Sequence, residues 1–171
     1  LKSIKNETER KGYRNAVVKD GVALTKFYYW LEKQLEAGEK VTELSASHKL
    51  TALRAEQPLY VMDSFASISS YGAHGAVVHY APTPETDVEL KRESLYLLDS
   101  GAQYLDGTTD ITRTIALGEP TEQMKKDFTR ALKGTISLAK CKFPVGTRGS
   151  QLDILARKAL WDAGINYLHG T

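Results

Sequence analysis

The 171-residue sequence predicts an α+β fold in which an antiparallel sheet is flanked by helices. Apolar residues recur at helical spacing through the first third of the chain. The middle shifts to β-branched and aromatic runs broken by glycine, and helical spacing returns after Pro120. A doubly wound sheet would alternate strands and helices; grouped helices, strands and helices do not.

Taken in order, Tyr13, Ala16, Val17, Leu24, Phe27, Leu31 and Leu35 fall on one helical stripe, with Gly38 as its stop. Asp20 interrupts that stripe and reads as a hydrogen-bonded structural residue. A second helix begins near Thr42, a suitable cap, and runs through Leu44, His48, Leu50 and Leu53. Strands are expected within 61–71, 76–80 and 95–115, with Ala81-Pro82-Thr83-Pro84 as a connection that cannot continue a central strand. Thr121 caps a third helix carrying Met124, Phe128, Leu132 and Ile136. Phe143-Pro144-Val145-Gly146 breaks it, residues 150–163 form a fourth that ends at Gly164, and 165–168 start another strand. No shift in composition divides the chain, and its 171 residues suit one domain or most of a larger one.

A hydrophobic content of 42% allows a core, and a net charge of +2 is close to neutral. Basic and acidic residues are interspersed, without the basic stripe that nucleic acid or an anionic membrane would require. No apolar run approaches the roughly 18 residues of a spanning helix. The first residues resemble neither a secretory signal nor a transit peptide. Cys141 has no second cysteine to pair with, which fits a reducing, cytoplasmic compartment, and it reads as structural.

The densest chemistry lies between Asp99 and Thr114. Asp99 follows Leu95-Tyr96-Leu97-Leu98, so a carboxylate emerges from an apolar strand, where ionisation is costly without a cation or several donors. Asp110, Thr112 and Thr114 alternate on one face of the next strand. A tight turn at Asp106-Gly107 would pair Asp99 with Thr114 and set the two acids four residues apart, roughly 13 Å at strand rise. Joint ligation of a metal therefore requires a wider loop or a bulge. The structural alternative is an Asp99 held by backbone donors and an Asp110 paired with Arg113.

The run Asp99-Ser-Gly-Ala-Gln-Tyr through Asp106-Gly-Thr-Thr-Asp110-Ile-Thr-Arg-Thr resembles the metal-ligand hairpin of the Xaa-Pro aminopeptidases (aminopeptidase P) in the pita-bread metallopeptidase family. Lys19-Asp-Gly-Val-Ala-Leu, Trp30-Leu-Glu-Lys, Val77-Val-His79-Tyr80-Ala-Pro, Leu160-Trp161-Asp162-Ala-Gly and Tyr167-Leu-His169-Gly-Thr171 are similar to the larger, three-domain cytosolic type. The resemblance covers essentially the whole sequence. It implies an incomplete pita-bread fold, with 1–171 as the N-terminal part of the catalytic domain and both the upstream domains and the C-terminal remainder absent.

The resemblance also implies a site of two Asp, one His and two Glu holding two divalent cations, usually Mn²⁺, which carboxylate oxygens and one imidazole suit. Asp99 and Asp110 take the aspartate positions, with Asp110 bridging both metals. Such a pair lowers the pKa of bound water and polarises the scissile carbonyl of a peptide with proline second. His79 takes the position of a substrate-contacting histidine implicated in proton handling, and His169 that of a pocket histidine. Phe65 falls at an aromatic wall of the substrate pocket, or is plain core. Thr112 shares Asp110's face and is either a donor that orients its carboxylate or an ordinary β-branched strand residue. Arg113 points to the other face as a structural ion pair; His74 reads as solvated and His48 as structural. The remaining His and both Glu lie beyond Thr171, so the isolated chain is expected to bind Mn²⁺ weakly and to lack activity. Prolidase and a non-catalytic module that binds protein partners such as histones are the alternatives. An exposed sheet edge would permit association with another copy.

Overall fold

The structure, a computed structural model, describes residues 3–168. Helix α1 spans Glu7–Glu36 and opens on a capping box, in which Asn6 accepts from the Glu9 amide and Glu9 accepts from the Asn6 amide. Its buried stripe is Gly12, Ala16, Asp20, Ala23, Leu24, Phe27 and Leu31. Tyr13 and Val17, expected on that stripe, are exposed instead. Asp20 lies in the middle of the buried face, because an acid can occupy a core when a partner neutralises it. Helix α2 (Glu43–Ala55) is capped by Thr42, as predicted, and buries Glu43, Ala46, Leu50, Leu53 and Arg54.

The β region is more divided than its sequence suggested. β1 (Tyr60–Asp63) and β2 (Ile68–Tyr71) are separate strands. Residues 76–80 form no strand: a 3-10 helix covers Gly72–Ala76 and a turn follows through residues 77–79. Small residues there are compatible with either geometry, and Gly72 and His79 both adopt positive φ, which an extended strand excludes. β3 (Leu95–Ser100), β4 (Ala102–Tyr104), β5 (Gly107–Thr108) and β6 (Ile111–Ala116) complete two three-stranded antiparallel sheets, ordered β1-β4-β5 and β2-β3-β6.

Two compact units divide the chain, Leu1–Glu119 and Pro120–Thr171. In the first, α1 and α2 cover the sheets through Phe27, Leu31, Leu50, Tyr96 and Leu98, each no more than 1% exposed. In the second, α3 (Glu122–Ala139), capped by Thr121, packs on α4 (Gly149–Trp161). Phe128, Leu132 and Ile136 stay about half exposed although their spacing is that of a core stripe. Residues 165–168 continue as irregular backbone, not as the expected strand. No helix among the described residues is long and apolar enough to cross a membrane.

Candidate metal centre

The two acids are brought together by register. β3 pairs with β6 so that Asp99 faces Thr112 and Ser100 faces Ile111. β4 pairs with β5 so that Gln103 faces Thr108 and Tyr104 faces Gly107. The same register therefore runs through both sheets and closes at a two-residue turn, Leu105–Asp106, one position earlier than the Asp-Gly turn signal suggests. The wider loop expected from the sequence is absent. Moving a turn by one residue moves the pairing by two, which sets Asp110 opposite Gly101, diagonal to Asp99.

Gly107 explains the shift. A Cβ there would crowd Ala16 and the α1 backbone at Tyr13, so this glycine lets the ladder pass close to α1 and does not serve the turn. Asp106 is left in the turn, where its carboxylate accepts from Lys19 of α1 at 2.5 Å.

Between the two sheets the ladder is interrupted at Gly101 and Asp110, and side chains stitch the gap. The Ser64 backbone amide and the Arg54 side chain both donate to the Gly101 carbonyl, at 3.0 and 3.3 Å. Ser64 Oγ donates to the Thr109 carbonyl and the Ala102 amide donates to Thr109 Oγ1, both at 2.9 Å. A Cβ at position 101 would overlap the Thr109 carbonyl and Ser64 Oγ, so only glycine fits. Arg54 is wholly buried and is neutralised by Asp20 through bonds of 2.6 and 3.1 Å, while its Nη2 also donates to Ser100 Oγ. Asp20 thus carries the structural role predicted for it. Arg54 escaped sequence reading, since an arginine near the end of a helix is ordinarily solvated.

The electrostatics of the pair favour a cation. Asp99 Oδ1 is buried and has no hydrogen-bond partner among the described residues, and an acceptor left so is costly. Loss of water around the Asp110 carboxyl raises its pKa first; the Asp99 charge and a hydrogen bond shared with Asp99 raise it further. Two hard oxygen donors in this condition fit a divalent cation between them. Among the described residues no group of three or more potential ligands occurs, so this part of the chain offers two acids and no more.

Thr112 lies directly across the ladder from Asp99 and is exposed. Arg113 donates to the Thr112 carbonyl at 2.7 Å and pairs with no acid among the described residues, so the expected structural ion pair is not formed. Phe65 is half-buried in the β1–β2 connection. His79 is exposed with φ of 53°. His169 lies outside the described residues. His48 is exposed on α2. His74, expected to be solvated, instead binds the fully buried Glu43 at 3.0 Å. Neither residue belongs to a spacing pattern that would have flagged it.

Comparison with known proteins follows the same residues. The profile of metallopeptidase family M24 matches residues 11–171. The sequence is 49% identical over its full length to the Xaa-Pro aminopeptidase ApepP of Drosophila melanogaster, covering 28% of that protein. It is 52% identical to the probable Xaa-Pro aminopeptidase P of Sclerotinia sclerotiorum, with 99% of this chain and 28% of that protein covered. The fold superposes on the Caenorhabditis elegans X-prolyl aminopeptidase, described as a cytosolic enzyme with a di-nuclear active site, with a TM-score of 0.90 at 44% identity; 98% of this chain and 27% of that one are covered. The chain thus spans about 28% of the length of the relatives it matches.

Proposed function

The chain belongs to metallopeptidase family M24, and from that premise we propose that it forms the N-terminal part of the catalytic domain of a metal-dependent aminopeptidase that removes a residue preceding proline. The pair Asp99 and Asp110 carries the proposal: a buried carboxylate oxygen without a donor stands beside a second acid whose pKa is raised by loss of water and then by that neighbour. The activity named for the fruit-fly and fungal relatives supplies the substrate class.

Asp99 and Asp110 would hold the divalent cations, with Mn²⁺ as the proposed metal and Asp110 as the carboxylate shared between them. The cations supply Lewis-acid activation of water and of the scissile carbonyl. Thr112, across from Asp99, orients the carboxylates. His79 contacts the peptide and moves a proton, a task for which imidazole is suited near neutral pH. Phe65 and His169 line the substrate pocket. The lone Cys141 and the cytosolic nematode relative support a cytoplasmic setting.

The test is steady-state cleavage of an Xaa-Pro-Xaa tripeptide by the intact protein reconstituted with Mn²⁺. Asp99→Asn and Asp110→Asn are each expected to lower kcat/KM by roughly a thousandfold or more. Activity within tenfold of the parent would remove the acids from the site. Preference for an Xaa-Pro dipeptide would turn the reading to prolidase. Metal-loaded protein inactive on both would turn it to a binding module. The 171-residue chain alone is expected to show no cleavage.

A further inference from the structure

Glu43 is the first residue of α2, and its side chain is fully buried. A carboxylate in that position gains from the helix N-terminus, yet still needs donors for the water it has lost. It finds three. The Tyr71 amide donates to Oε1 at 2.6 Å, the Tyr80 hydroxyl donates to Oε2 at 2.7 Å, and His74 Nδ1 lies 3.0 Å from both oxygens. A carboxylate only accepts, so the His74 proton sits on Nδ1. The His74 and Tyr80 rings also lie 4.5 Å apart at 32°.

These three donors are the beginning, the middle and the end of one segment. Tyr71 closes β2, His74 lies within the 3-10 helix, and Tyr80 follows the turn. Between them stand two residues with backbones in the left-handed region, Gly72 at φ 56° and His79 at φ 53°. For histidine that conformation is uncommon and persists only when its surroundings impose it. Inside the turn the backbone bonds are two, Val77 amide to the His74 carbonyl and Tyr80 amide to the Val77 carbonyl. The main-chain groups of Glu43 extend the anchor: its amide donates to Val88 and its carbonyl accepts from Ser69 Oγ.

We propose that Glu43, acting through His74 and Tyr80, is a positioning residue that clamps the 71–80 segment and thereby holds His79 in its strained conformation for substrate. The inference rests on the role given to His79 above. Glu43 and His74 touch no reacting atom; they fix where His79 stands.

Two measurements on the intact metal-loaded protein test this. Hydrogen exchange comes first: Glu43→Gln and His74→Ala should strip protection from the Tyr71 amide and residues 72–80, while α1 and β3 keep theirs. His74→Gln, which retains an N–H donor, should restore much of it. Unchanged exchange in residues 71–80 would overturn the clamp, whatever the activity. Tripeptide kinetics come second. His74→Ala should lower kcat roughly tenfold with KM changed less, since misplacing a group by about 1 Å is enough. In a His79→Ala background the same substitution should change kcat less than twofold. An equal loss in both backgrounds would show that the clamp does not act through His79. If His79→Ala alone leaves kcat and its pH profile intact, the role of His79 fails, while the exchange result still decides whether Glu43 holds the loop.

Discussion

At its C-terminal end α2 buries a guanidinium against a β-ladder, and at its N-terminal end it buries a carboxylate against a loop. Both charges complement the helix dipole, and both are wholly removed from water. Their tasks differ. Arg54 supports Gly101 and Ser100, where backbone pairing on either side already fixes the hairpin. Glu43 supports a segment made of a 3-10 helix and a turn. Support of a paired ladder shows itself in stability, whereas support of a loop shows itself in local geometry.

The largest effect should come from breaking the Arg54 end. Arg54→Met removes the buried partner of Asp20, and should cost about 3–5 kcal/mol in urea unfolding. Adding Asp20→Asn should return more than half of it. A loss below about 1 kcal/mol would mean that the ladder needs no buried charge.

Gly101→Ala comes next. Its Cβ overlaps the Thr109 carbonyl and Ser64 Oγ, so the interrupted ladder must shift. A loss of about 1–3 kcal/mol is expected, together with weaker Mn²⁺ binding measured by calorimetry, since the neighbouring acids move with it. Unaltered stability and affinity would show that the break in the ladder is soft.

Thr42→Ala sharpens the other side of the comparison. It removes a cap that accepts from the Ser45 amide and should cost about 1 kcal/mol. If Glu43 acts on the loop and not through α2 as a whole, Thr42→Ala leaves the exchange of residues 72–80 unchanged.

The smallest effect concerns pH. The folded state raises the Asp110 pKa, so it binds that proton more tightly than the unfolded chain does. The resulting stability is present below the unfolded carboxylate value and is lost as pH rises through the folded one. In metal-free protein, Asp110→Asn should therefore melt higher than the parent at neutral pH, and the gap should close on acidification. Because Asp110 is exposed, this shift should be smaller than that of Thr42→Ala. Bound metal should reverse the order at neutral pH by stabilising the ionised acid.

The helices and their caps were legible because their signals are local. Thr42 and Thr121 start helices by bonds that reach three residues, and periodicity over four turns averages out single exceptions. Asp99 and Asp110 were legible as a pair through the family resemblance, since alternation alone left a structural reading open. Their separation was not, since it depends on the turn at Leu105–Asp106, and that turn was decided by where α1 lets Gly107 through. The 76–80 segment was read as a strand because small and β-branched residues suit extended backbone; the Glu43 carboxylate, more than thirty residues away, bends it otherwise.

By itself, then, the sequence determined the α+β class, the order of most elements and the pita-bread metallopeptidase resemblance that singles out the two carboxylates. Each of these is written in neighbouring residues or in a contiguous motif. Tertiary structure alone decided that Asp99 and Asp110 stand diagonally on one ladder, that Asp20 and Arg54 neutralise each other beneath Gly101, and that His74 serves Glu43. The last two depend on pairs 34, 47 and 31 residues apart. Burial makes such pairs strong, and burial is a property of the packed chain that no local pattern carries.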